Sequence, residues 1–218
     1  MPSGSSVRPA APVALTCAIV IRMAIAALAS GPVLSARAVA EPASSQPRLE
    51  ERDRLEEQSR SLRRQGKLDE AIAAAEKMLA VERSVHGNVH ADVASSLAWL
   101  GDLHVGAKQY ARALPLLQQA VEIRRQTLGT GHQATLGSVN YLALLLRGMK
   151  QHDKAAPLLE EWLDSRRKAG RSADPEFVDE LDLLAESYRV LKRHDRARAC
   201  FLEEEELRRK TRGEGDPA

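Results

Sequence analysis

Aromatic side chains are scarce, 3% of 218 residues, too few for a platform on which nucleic-acid bases would stack. Cysteine is scarcer still. Cys17 and Cys200 cannot supply a disulfide framework or a four-thiolate zinc site. Neither sign of charge dominates: 32 basic residues against 30 acidic ones leave a net charge of +2. That balance argues against a general binder of nucleic acid or of a membrane surface. No glycine-rich phosphate loop and no nucleophile elbow occurs in the chain, which removes the commonest signatures of nucleotide binding and of acyl transfer. What is present is a 44% hydrophobic fraction beside 28% charge, enough apolar surface for a folded core. No segment keeps up a strand-like alternation, so the expected class is all-α.

Charge divides the chain. Residues 1–40 hold Arg8, Arg22 and Arg37 and no acid, whereas the remainder is nearly balanced. An apolar stretch runs from Ala11 to Val33, broken by Arg22, and Ala38-Val39-Ala40 precedes Glu41. A basic flank, an apolar segment of which Met23–Val33 is the core, and small residues at an A-x-A site describe a secretory signal peptide. The expectation is cleavage near Ala40 and export to a periplasm or the medium. The alternative is a retained membrane anchor, made costly by Arg22 inside the only stretch long enough to span. Residues 41–48 read as a linker, 49–212 as the folded body, and 213–218 as a frayed tail.

Within the body the chain matches itself at a shift of 42 residues. Ala71, Ala113, Ala155 and Ala197 recur at that spacing, as do Arg83, Arg125, Arg167 and Arg209. Ser59, Gly101, Ala143 and Ala185 are all small. Each copy carries two helical stripes, for instance Leu97, Leu100, Gly101 and His104, then Ala113, Leu116, Leu117 and Ala120. The turn pairs Gly66-Lys67, Lys108-Gln109, Lys150-Gln151 and Lys192-Arg193 separate them. Pro115 and Pro157 are expected in the first turns of second helices, where a missing N–H costs little. The small residues mark places where the two helices of a hairpin approach closely. The pattern predicts four hairpins, eight helices, stacked so that neighbours bury a shared apolar seam.

The pattern Leu100, Gly101, His104, Ala113, with its counterparts Leu142, Ala143, Leu146, Ala155 and Leu184, Ala185, Tyr188, Ala197, resembles the tetratricopeptide repeat. The similarity is to its 42-residue kinesin-light-chain form. Tyr110–Arg124 resembles that form's second helix, and Leu128-Gly-Thr-Gly-His132 its Leu-Gly-x-x-His linker. Gln58, where a leucine is expected, and Asp174-Pro175, where the linker histidine is expected, depart from it. The resemblance implies a right-handed α-solenoid with a concave groove, and a role in protein–protein binding rather than catalysis. The outer copies look like caps: the first is rich in arginine, and the last carries Glu203 to Glu206 in the place of stacking residues.

In such a solenoid the first helices line the groove. Stepping one, five and eight residues from the leading apolar position of each selects Glu56, Arg60 and Arg63, then Ala98, Asp102 and Val105, then Asn140, Leu144 and Arg147, then Asp182, Glu186 and Arg189. The candidate partner-binding residues are therefore Asn140, Arg147, Asp102, Glu186, Arg189 and Asp182. Asn140 matches the groove asparagine of the family, whose amide both donates to and accepts from a peptide backbone. The partner expected is an extended protein segment, with no nucleic acid, and a membrane only if the leader is retained. The array is expected to be monomeric. The rival is a structural module that self-associates end to end. His86-Gly-Asn-Val-His90, with Asp92 near, has a spacing seen in metal sites, but two histidines do not make one. The expectation is that His86, His90 and His132 are structural, that no metal or cofactor is held, and that Cys200 is a buried, inert thiol. His152 and His194 are expected at packed, core or half-core positions.

Overall fold

The computed structural model describes residues 46–172 and 174–212, so the leader and the tail lie outside the described residues. Among these residues there are eight α-helices: α1 (Gln46–Arg64), α2 (Leu68–His86), α3 (Ala91–Gly106), α4 (Tyr110–Leu128), α5 (Gln133–Gly148), α6 (His152–Lys168), α7 (Pro175–Val190) and α8 (His194–Arg212). They pair as four hairpins, and each hairpin packs through its second helix on the first helix of the next. None of the eight is long and apolar enough to cross a membrane.

The core is a seam. One buried cluster joins the first and second copies through Ala71, Leu97 and Ile123. The next joins the second and third through Leu117, Val139 and Ala155. The last joins the third and fourth through Leu159, Trp162, Phe177 and Tyr188. Every cluster draws on two copies, so no hairpin buries its own apolar stripe alone. The small residues stand where expected: Ala71, Ala113, Ala143, Ala155 and Ala185 are fully buried. At Gly101 a Cβ would come within 2.8 Å of Leu117 Cγ, so in that hairpin the missing side chain lets α3 and α4 close up.

The turns inside the hairpins repeat in detail. Gly66, Lys108, Lys150 and Lys192 all have φ between 58° and 76°. Their N–H groups reach three residues back, to Arg63, Val105, Arg147 and Arg189, and the following N–H reaches five back, as from Gln109 to the His104 carbonyl at 2.8 Å. This is the Schellman ending of a helix, which turns the chain within two residues and satisfies carbonyls otherwise left open.

Four expectations need correction. The helix is already formed at Gln46, so residues 46–48 are not linker; Pro47 in the first turn is compatible because an N–H at that position would have no helical partner, and proline's lack of one costs nothing. Pro115 and Pro157 lie in the second turns of α4 and α6. Each removes one helical hydrogen bond, and Ala111 and Asp153, whose carbonyls lose a donor, are exposed to water instead. His152 is half-buried against Ser187, but His194 is exposed because no described helix follows α8 to cover it. The last glutamate run is not wholly a solvated face: Glu204 is buried and paired with Arg208, and Glu203 binds Arg167 at 2.8 Å.

Candidate functional site

The first helices α1, α3, α5 and α7 form a row tied by side chains rather than by backbone contact. Arg63 binds Asp102 at 2.6 Å. Tyr141 donates its hydroxyl to the other oxygen of Asp102 at 2.7 Å. Asn140 donates through Nδ2 to Glu180 at 2.6 Å. Between α1 and α3, Trp99 donates to the buried Ser59 at 2.9 Å, and the guanidinium groups of Arg60 and Arg63 lie 5.1 and 4.9 Å from its ring centroid. Cation–π geometry of this kind holds a half-buried aromatic in place. A ladder of polar contacts thus spans all four copies along one face.

Asp102 is consumed by that ladder. It faces Arg63 on one side and Tyr141 on the other, and burial together with the bond to Asp102 pushes the Tyr141 phenol well above its ordinary range. Arg189 and Glu186 bind each other along α7 with two contacts of 2.7 Å, which lowers the Glu186 carboxyl. Asp182 is exposed on α7.

Asn140, Arg147 and Glu180 differ from these. Three of their polar atoms, Asn140 Oδ1, Arg147 Nε and Glu180 Oε2, are buried and have no hydrogen-bond partner. Glu180 keeps 8% of its surface exposed. Desolvation raises its carboxyl, against the opposing pull of the Asn140 hydrogen bond and of the Arg147 charge. Arg147 also acts on Glu186. Sequence spacing selects Asn140, Arg147, Glu186 and Arg189 and misses Glu180, which carries the geometry. A signal for it exists: Ser96 and Ser138 hold the equivalent places, and a glutamate there breaks the repeat.

The linker histidines have a defined task. His90 Nδ1 accepts from the Asp92 N–H at 3.3 Å, and His132 Nδ1 accepts from the Ala134 N–H at 3.1 Å. Each histidine is therefore the N-cap of the helix that follows, in the role usually filled by serine, threonine or aspartate. In the last linker Pro175 occupies the first turn and Asp174 binds Arg171 instead.

A tetratricopeptide repeat family model matches residues 55–126 and again 92–168, more than half of the chain. The chain belongs to the tetratricopeptide repeat family. The structure of a kinesin-light-chain protein of nearly identical TPR-like repeats from Podosopora anserina superimposes with a TM-score of 0.62, at 22% identity, over 90% of this chain and 88% of that one. BtubC (BKLC) from P. vanneervenii gives 0.63 at 19% identity over 77% and 66%. The apo form of RapI gives 0.60 at 14% identity over 90% and 65%. Likeness at these identities is likeness of fold. No curated protein sequence matches the chain. Tetratricopeptide arrays are commonly scaffolds for protein–protein interaction and generally not enzymes. Within this array the Cys200 thiol is buried, and burial raises it away from the reactive thiolate.

Proposed function

We propose that this tetratricopeptide array is an exported, non-enzymatic scaffold that holds an extended segment of a protein partner along its row of first helices. One observation carries the reading: at the α5–α7 step the half-buried Asn140 and Arg147, with Glu180 beneath them, hold polar atoms without partners, which a ligand reaches once these side chains swing outward. Two of these atoms are acceptors and one is a donor. An extended peptide offers N–H donors and C=O acceptors at regular intervals, so it fits such a set without needing a particular side chain. Elsewhere on the row Arg63, Asp102 and Tyr141 serve one another, as do Glu186 and Arg189. None of Ala98, Val105 and Leu144 beside them is buried, which leaves apolar surface for the partner's side chains. The near balance of charge argues for a protein partner over nucleic acid. The basic leader with its A-x-A site supports export, with a membrane location following only if that leader is retained.

Peptides selected from a random display library on the full chain provide the test. Asn140→Ala should weaken a selected peptide by about 1–3 kcal/mol, the cost of leaving its partner group unpaired. Arg147→Glu should weaken it further, and salt should shrink that effect where the contact is exposed. Lys77→Glu, on the exposed side of α2, should leave affinity unchanged. Loss of binding in Lys77→Glu but not in Asn140→Ala or Arg147→Glu would place the partner on the outer surface.

A second reading rests on the end of the array. Phe201, in register with the buried Leu159, is 40% exposed, its chain neighbour Leu202 is 55% exposed, and Val190 at the end of α7 is 49% exposed. An uncovered seam of this kind would serve end-to-end association. Light scattering separates the readings: the scaffold reading expects a monomer without ligand, the second a stable oligomer.

A further inference from the structure

The first linker departs from the repeat at three places, and the departures meet. Glu82 stands where the other copies have Arg124, Arg166 and Arg208. His86 stands where they have Leu128, Gly170 and Arg212, and Asp92 where the next copy has Ala134. The fold brings these three together with the capping His90. His86 Nε2 lies 3.5 Å from Glu82 Oε2 and 3.8 Å from Asp92 Oδ2. Asp92 Oδ2 lies 3.4 Å from His90 Nδ1, the atom that caps α3 and would exchange its bond from the Asp92 N–H for a metal. One ligand atom from each of His86, His90 and Asp92 fits within a span of 4.8 Å. The two imidazole rings are stacked, 4.3 Å apart and within 9° of parallel.

We propose that Glu82, His86, His90 and Asp92 form a binding site for a divalent transition metal of the zinc class. Bonds of about 2.0–2.1 Å in a tetrahedron set neighbouring ligand atoms about 3.3–3.4 Å apart; the Glu82–His86 and His90–Asp92 separations match this, and the 3.8 Å between His86 and Asp92 would close slightly around an ion. Glu82 is the independent sign of a ligand. It is 2% exposed, and its Oε2 is buried without a hydrogen-bond partner. Its other oxygen lies 3.2 Å from Arg52 Nε, an outer contact that holds the carboxylate in place, as second partners do around metal ligands. Two imidazoles with two carboxylates select zinc-like ions over calcium or magnesium, which take oxygen ligands alone. The ligands come from the end of α2 and the start of α3, so the ion would clamp the joint between the first two repeats. Two histidines alone gave no reason to expect a metal; the buried glutamate is what the sequence spacing did not show.

The untagged full chain, stripped with a chelator, is titrated with cobalt(II) and then with zinc. One equivalent of cobalt with a tetrahedral visible spectrum, displaced by zinc, is expected. His86→Leu, which installs the residue of the second copy, and Asp92→Ala should each weaken zinc by about tenfold or more. His132→Asn, at the equivalent cap, should leave affinity unchanged. Zinc should raise the melting temperature of the parent chain and not that of His86→Leu, with circular dichroism confirming equal helix content. Absence of a one-equivalent site, unchanged affinity in both His86→Leu and Asp92→Ala, or equal loss in His132→Asn would overturn the proposal.

Discussion

Single residues in this array are most informative where one copy disagrees with the others. Glu180 replaces a serine and is buried with one oxygen unpartnered. Its folded carboxyl is raised by desolvation, so the folded state holds the proton more tightly than the unfolded state. The stability this contributes is full in acid, below the unfolded carboxyl range near pH 4, and is lost as pH rises through the raised value. Glu180→Gln, which keeps an acceptor for Asn140 and removes the charge, should therefore melt higher than the parent at neutral pH. The difference should shrink toward pH 4, and a variant less stable at neutral pH would mean that the carboxylate is well compensated. His132 permits a second residue-level test. His132→Ala removes the acceptor for the Ala134 N–H and should cost about 0.5–2 kcal/mol, while His132→Asn should recover most of it. Urea denaturation of the three proteins decides the matter.

At the scale of the helical hairpin, the turn carries a built-in cost. Three of the four hairpins place a lysine at positive φ, and only the first uses glycine. The left-handed region costs a residue with a Cβ about 1–2 kcal/mol, and glycine enters it freely. Lys150→Gly should thus stabilise the array by about 1 kcal/mol, less the entropy that glycine adds to the unfolded chain. Gly66→Lys should destabilise it by a similar amount. Thermal melts showing no opposite trend would mean that the turns relax by another route. The same turns explain why the hairpins are alike although their surfaces differ: the bend is fixed by backbone hydrogen bonds, leaving the exposed positions free to vary.

The whole molecule combines a leader of basic and apolar residues with a repeat body. Cleavage near Ala40 predicts that intact-mass analysis of exported protein finds a chain beginning at Glu41; a full-length species held in the membrane fraction would favour the anchor. In the body, each interface between copies is a separate apolar cluster, so stability is distributed along the array and a defect in one seam acts on its neighbours. The polar row across the first helices has no such repetition. It changes from an arginine–tryptophan–aspartate arrangement at one end to an asparagine–arginine–glutamate one at the other. That difference leaves three unpartnered polar atoms together at the α5–α7 step.

The sequence by itself determined the all-α class, the number of hairpins and the positions of their turns. A period of 42 residues repeats the same packing requirement four times, and small residues recur because helix contact distances do not vary. It also placed Asn140 and Arg147 on one face, since offsets along a helix fix direction. It did not show that Asp102 is spent between Arg63 and Tyr141, or that Glu180 turns inward beside Asn140. Those contacts link residues about 40 positions apart, in different copies, and depend on how far each hairpin is rotated on the last. Likewise, helix spacing alone sets Glu82 beside His86, but only packing buries that carboxylate and turns a pair of histidines into a candidate site. Periodicity fixes what every copy shares; the tertiary structure decides what the exceptions meet.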